Sequence, residues 1–293
     1  MNAAFGLDHP LIAVHDINAL RGRLISIGFN MTPIGKHPWG TSTSLAMFQG
    51  CLLEIMGIYD ETLIDEVPAG NFHFGRHVYE HLQNREGVAL TALHSTDSVA
   101  DAAFAEKAGL AVSGHLEFGR DVTLPDGTAG RTKTTLALLP DEMHTRLSFF
   151  LCQQHRPEFI YVPTWLEHRN SVCGYAGASV LTREEDMDAL IAKFTGLYGA
   201  PRACDGGTVF NTANGELRLL SRTAIEARNG PLPRAVLIGD APGIVTLDLA
   251  YSDEEKLEAC LRSSGLGYRR HGTEFRLSDP SAFGNTFLNF VPR

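Results

Sequence analysis

From Leu7 the chain reads Leu-Asp-His-Pro-Leu-Ile-Ala-Val-His-Asp, an alternation that sets His9, Leu11, Ala13 and His15 on one side of a strand and Ile12 and Val14 on the other. Asp16 then offers an N-cap oxygen, Leu20, Leu24 and Ile27 recur at helical spacing, and Gly28 supplies a residue that tolerates a left-handed stop. Past a loop carrying Pro33, Gly35, His37, Pro38 and Gly40, two apolar runs at 44–48 and 51–56 flank Gln49-Gly50 as at a hairpin turn. On the second run Leu52, Glu54 and Met56 share a face, so a carboxylate stands among apolar neighbours. The unit is strand, helix, then two or three strands.

The same order returns three times. Residues 74–85 read as a helix, after which the second unit begins with a strand at 88–94. Ser95 or Thr96 is placed to cap the next helix, with Val99, Ala103 and Phe104 on it and Gly109-Leu110 at its end. Pro125-Asp126-Gly127 has the composition of a turn, and 132–139 and 147–152 are the closing strands. The third unit opens with a strand at 175–181, and Thr182-Arg183-Glu184-Glu185 forms a capping-box pattern ahead of Met187, Leu190, Ile191 and Phe194. Gly196 to Gly199 end that helix, and a hairpin closes around Asn214-Gly215. The fourth has a strand at 244–250, Ser252-Asp253-Glu254-Glu255 as a second capping box, Leu257 and Leu261 as core anchors, Gly265 as the stop, and strands around Phe275 and 283–291. A glycine followed by an apolar residue marks every helix end: Gly28-Phe29, Gly109-Leu110, Gly196-Leu197 and Gly265-Leu266. Units too small to bury their own sheets are expected to pair, which gives two domains, 1–170 and 171–293.

Composition narrows the function classes. No apolar run approaches the roughly 20 residues of a membrane span, and a soluble cytoplasmic protein is the expectation. Five scattered cysteines imply no disulfide framework. With 25 basic and 34 acidic residues the formal charge is −9, and neither sign gathers into a block, which argues against nucleic acid as a partner. No glycine-rich phosphate loop or dinucleotide fingerprint is present.

Four strand–helix–strands units, with Leu-Asp-His-Pro-Leu-Ile-Ala-Val opening and Leu-Leu-Glu-Ile closing the first, resemble the βαβββ modules of the vicinal oxygen chelate superfamily. More narrowly, Gly35-Lys36-His37-Pro38-Trp39-Gly40-Thr41, Arg85-Glu86-Gly87 and Phe149-Phe150-Leu151-Cys152-Gln153-Gln154-His155-Arg156-Pro157-Glu158 are similar to stretches of its glyoxalase-like proteins. The resemblance implies an α+β fold, four modules paired into two cup-shaped domains. It also implies a divalent ion (Fe2+, Mn2+, Zn2+ or Ni2+) held by inward side chains of a module's first and last strands, where His9 and Glu54 fall. In the second module the matching places read Val88 and Phe149, so a third ligand is sought in His94 or His155. Glu54 and the loop residue His37 are the candidates for moving a proton. The expected activity is a metal-dependent lyase, isomerase or dioxygenase acting on a small oxygenated substrate; the competing class is a metal-free module that sequesters a small apolar compound. The resemblance is compatible with a homodimer.

The second half offers Tyr175, Ile244 or Val245, Arg218 and Asn289 at the corresponding places, which make no metal site; a scaffold role is expected there. His73, His77 and His81 recur at helical spacing and read as a polar helix face rather than a zinc site. Cys152 and His155 point to opposite faces of a strand and do not make a nucleophile and base.

Overall fold

The computed structural model describes residues 5–237 and 241–293. Its first half contains β1 (Leu7–Ala13), α1 (Ile17–Ser26), β2 (Gly35–Lys36), β3 (Thr41–Phe48), β4 (Cys51–Ile58), α2 (Phe74–Asn84), β5 (Gly87–Ser95), α3 (Ser98–Lys107), β6 (Gly114–Phe118), β7 (Asp121–Thr123), β8 (Ala129–Arg131), β9 (Thr134–Leu139) and β10 (Phe149–Gln154). The second half contains β11 (Val172–Leu181), α4 (Met187–Tyr198), β12 (Arg202–Cys204), β13 (Gly207–Asn211), β14 (Glu216–Leu220), α5 (Arg222–Asn229), β15 (Gly243–Tyr251), α6 (Glu254–Ser264), β16 (Tyr268–His271), β17 (Glu274–Leu277) and β18 (Phe287–Pro292).

Each half builds one eight-stranded mixed sheet, ordered β2-β3-β4-β1-β5-β10-β9-β6 and β12-β13-β14-β11-β15-β18-β17-β16. In both, the first strand of a module runs parallel to that module's last strand, β1 beside β4 and β11 beside β14, while the two first strands pair antiparallel at the centre. The expected four-module α+β architecture is therefore present. No helix of the described residues is long and apolar enough to cross a membrane.

The helix boundaries follow local chemistry. Asp16 accepts from the Ala19 amide at 2.9 Å to cap α1, and Gly28, at φ +96°, ends it as expected. Three caps differ from the sequence reading, one of them at α6, where Asp253, not Ser252, accepts from the Lys256 amide at 3.1 Å. Asp97, not Ser95 or Thr96, caps α3 through the Ala100 amide, because the strand runs on to Ser95. Thr182 caps nothing: a 3-10 turn, Glu184–Asp186, intervenes before α4. Gly196 lies inside α4, where a Cβ would stand 2.7 Å from the Ala108 carbonyl oxygen; it permits close packing against the end of α3, and Gly199, at φ +80°, is the stop.

One apolar core lies between the sheets. Ile12, Val14, Leu53 and Ile55 from the first sheet and Ala178, Val180, Leu247 and Leu249 from the second are buried in a single cluster with the inward residues of α1, α3, α4 and α6. Phe194 on α4 touches both halves, its ring centroid 5.9 Å from Phe149 of β10 and 5.9 Å from Phe210 of β13. Beside it Lys193 reaches Asp141 at 2.7 Å, and His144 faces Asp186 at 3.1 Å. With the helices and this core behind both sheets, the concave faces look outward in opposite directions. The first is closed at one end by α2, whose Phe74, Val78 and Leu82 pack on Leu11, Ala13 and Leu90. The second is covered by α5 and filled by a charged network: Asp248 accepts from Arg218 and Arg228 on one oxygen and from Asn289 on the other.

Phe194→Ala is expected to cost about 3–5 kcal/mol. Because the ring is shared, the loss should appear in the first half, which holds both tryptophans: the denaturation midpoint read by tryptophan fluorescence should fall together with that read by far-UV circular dichroism. Separation of the two transitions would show that the halves fold independently.

Candidate functional site

The concave face of the first sheet lines a cavity of about 600 Å³. Period-two geometry places the inward residues of β1 and β4 side by side: Leu11 pairs with Glu54, and His9, Leu52, Glu54 and Met56 all face the cavity, while Ile12, Leu53 and Ile55 face the core behind. His9 and Glu54 are brought together as the sequence suggests, with Nε2 of the imidazole 3.3 Å from Oε2 of the carboxylate and both residues 5% exposed. Thr43 on β3 donates to the other Glu54 oxygen at 2.5 Å.

Behind His9 stands a residue that simple alternation hides. The register of β1 on β5 shifts between Leu7, opposite Leu93, and His9, opposite Ala92, so Asp8 is the extra residue of a bulge. Its carboxylate is fully buried; Oδ1 lies 2.5 Å from His9 Nδ1 and Oδ2 lies 3.1 Å from His94 Nδ1. Burial alone would raise the Asp8 carboxyl, but the charge and hydrogen bond of His9, with His94, outweigh it and hold the group below the usual carboxylate range. Burial likewise opposes protonation of His9, and Asp8, followed by Glu54, overcomes it and raises the imidazole. An imidazolium flanked by two carboxylates is the favoured state when nothing else occupies the cavity.

His37 also lines the cavity. Its Nδ1 is 2.9 Å from Thr41 Oγ1, its ring stacks on Trp39 with centroids 4.8 Å apart, and Phe118 meets it edge-on. Burial, helped by the positive charge of Arg120 and then His9, holds it well below the ordinary imidazole value, so it is neutral. Cys152 and Gln154 on β10 face the same space, and burial pushes the Cys152 thiol well up.

The other sequence candidates lie elsewhere. His94 touches the site only through Asp8, and His155, outside the cavity lining, sits 2.7 Å from Thr135 Oγ1 on an exposed surface. Neither is brought to the His9–Glu54 pair. Val88 and Phe149 are buried in the core behind the sheet; the residues in front are Leu90, beneath α2, and Phe150, on the cavity wall. Irregular register in β5 and the true start of β10 account for the difference. On α2, His77 is bound to the Ala89 carbonyl, and His73 to that of Asp65. Tyr175 donates to the Leu52 carbonyl, and Arg218 and Asn289 belong to the network of the second cup. Sequence reasoning missed Asp8, Thr43 and Arg120; only Asp8, an acid directly before a strand histidine and a proline, left a signal there.

His9 and Glu54 supply two donors of the kinds that a divalent ion takes. Two neighbouring ligands, each about 2.1 Å from one ion, are about 3 Å apart, close to the observed separation of Nε2 and Oε2. The Asp8 carboxylate on Nδ1 is the outer partner that a ligating histidine ordinarily has. Among the described residues the three candidate ligand atoms that lie within 4.8 Å of one another are those of Asp8, His9 and Cys152; Glu54 is outside that group, so no third side chain joins the His9–Glu54 pair as a ligand.

Against this geometry the relatives can be set. The sequence profile of the glyoxalase-like domain matches residues 7–197, well over half of the chain. The chain belongs to the glyoxalase-like domain family. A crystal structure of a hypothetical protein from Staphylococcus aureus shares the fold at a TM-score of 0.67 and 10% identity, covering 98% of this chain and 99% of that one. A triple mutant of 4-hydroxymandelate synthase from Streptomyces coelicolor follows at 0.62 and 11%, covering 100% and 93%. A fusion of a xylose isomerase-like TIM barrel with 4-hydroxyphenylpyruvate dioxygenase gives 0.58 and 12%, with 100% of this chain on 49% of that one. At such identities the glyoxalase-like fold is what these neighbours share with it. Curated protein sequences give no match.

The pair of buried charges predicts a pH signature in metal-free protein. Asp8, lowered in the fold, contributes stability that is present above 3.8 and lost as the pH falls through its folded value; His9, raised, contributes stability present below 6.5 and lost as the pH rises through its folded value. Urea midpoints should therefore fall on both sides of that window. Asp8→Asn should flatten the profile; an unchanged profile would show that the two charges are not coupled.

Proposed function

We propose that the first cup is the active site of a glyoxalase-like enzyme, a lyase, isomerase or dioxygenase, that acts on a small oxygenated molecule with the help of a divalent ion. The observation that carries this reading is the convergence of His9 Nε2 and Glu54 Oε2 on a closed-walled cavity large enough for a drug-sized molecule. His9 and Glu54 would hold the ion, leaving its other positions to water and substrate oxygen; nitrogen and oxygen donors suit Fe2+, Mn2+, Zn2+ and Ni2+ alike. When bound, the ion supplies Lewis acidity toward a carbonyl or hydroxyl oxygen.

The remaining work falls to the protein. Asp8 keeps the His9 Nδ1 proton in place and so leaves Nε2 to face inward. Thr43 fixes one oxygen of Glu54 and aims the other at His9 Nε2, where it would serve as ligand to the ion or, with no ion bound, as proton acceptor. His37, neutral and anchored through Nδ1, has its second nitrogen for a hydrogen bond to the substrate. Trp39, Phe74, Phe118 and Phe150 exclude water around these groups.

A metal-free sequestering role is the second reading, and the apolar places taken by Leu90 and Phe150 in the second module favour it. Metal content separates the two. Protein purified without chelator should carry one ion per chain by elemental analysis, and calorimetric titration of stripped protein with Mn2+, Zn2+ or Ni2+ should give one site, lost in His9→Ala and Glu54→Ala. Asp8→Asn should weaken the site about 10- to 100-fold. A wild-type protein that binds no ion, yet still takes up aromatic compounds, establishes the sequestering role instead.

A further inference from the structure

The first cavity is apolar over most of its wall, yet it contains a guanidinium. Arg120 follows Gly119 in the loop between β6 and β7 and reaches back over Gly35, where an added Cβ would stand 2.6 Å from Nη1. Among the described residues its side chain has neither a hydrogen bond nor an ion pair; burial works against its charge and Glu54 favours it, and that charge adds to the burial that keeps His37 neutral. Asp121, the next residue, is turned to Arg131 at 2.7 Å. Every other arginine that reaches into a cup here is matched: Arg218 and Arg228 both reach Asp248.

A cation in an apolar hollow is costly unless something compensates it. We propose that Arg120 receives the carboxylate of the substrate, and that the cavity selects an aromatic or branched apolar molecule bearing a carboxylate at one end and an oxygen function next to it. The proposal rests on the reading of this cavity as the active site and adds the substrate's charge. Three observations support it. The guanidinium is the cavity's unmatched donor fork, and planar forks bind carboxylates through two parallel hydrogen bonds. Arg120, His37, His9 and Glu54 line the same cavity, so a molecule anchored at the guanidinium shares that space with the proton-handling groups. Trp39, Phe118, Phe159 and Trp165 supply flat apolar walls for the rest of the molecule.

Both tryptophans of the chain, Trp39 and Trp165, line the cavity, so their fluorescence reports its occupancy. The test titrates phenylglyoxylate against its neutral methyl ester, in wild type, Arg120→Gln and Arg120→Lys. The acid should quench saturably and bind on the order of 10- to 100-fold more tightly than the ester. Arg120→Gln should erase that preference and leave ester affinity unchanged, with partial recovery in Arg120→Lys. Equal binding of acid and ester, or an acid preference that survives in Arg120→Gln, overturns the carboxylate assignment alone. No saturable response to either compound overturns it together with the reading of the cavity as a binding site.

Discussion

A carboxylate with no exposed surface is held between two imidazoles at the start of a central strand. Burying Asp8 is tolerable because its oxygens are taken by His9 and His94, and that pairing in turn fixes which nitrogen of His9 faces the cavity. The irregularity that makes this possible is the bulge at Leu7–His9, followed at once by Pro10, which lacks the amide that a regular ladder would use. Without the bulge Asp8 would lie on the helix-covered side among apolar residues. Local backbone geometry, rather than an added loop or subunit, thus sets the electrostatics of the site.

The architecture was legible from the sequence because it is periodic. Alternation over 7–16 and 51–56 identified the inward faces of β1 and β4, and with them His9 and Glu54, since side chains of period two on adjacent strands must meet. What escaped were departures from the period. Asp8 was hidden by a bulge, and irregular register in β5 and the start of β10 exchange Val88 and Phe149 for Leu90 and Phe150. The displacement is one residue in β10 and two in β5, where Ala89 is the extra residue between Leu90, opposite Leu11, and Val88, opposite Ile12. Arg120 comes from a loop whose path no hydrophobic pattern encodes, and Gly196 carries the mark of a helix stop while serving helix packing instead.

The two halves repeat one plan and differ in what fills it. In the first, α2 covers one end, Ile160 and Trp165 pack on Leu45, Met47 and Leu52 at another, and a cavity remains beside His9 and Glu54. In the second, α5 brings Arg228 and Asn229 down onto Asp248, Arg218 and Asn289, and the interior is occupied by its own ion pairs. By register Arg218 stands where the first cup has Glu54, paired to Asp248, and Gly177 stands where it has His9, so the second cup presents no matching pair to a ligand.

Because the helices and the shared apolar layer lie between the sheets, the mouth of the first cup opens toward the outside, away from the join. Molecules can enter and leave without prising the halves apart. The join can therefore be as rigid as a protein interior, with Phe194 wedged across it.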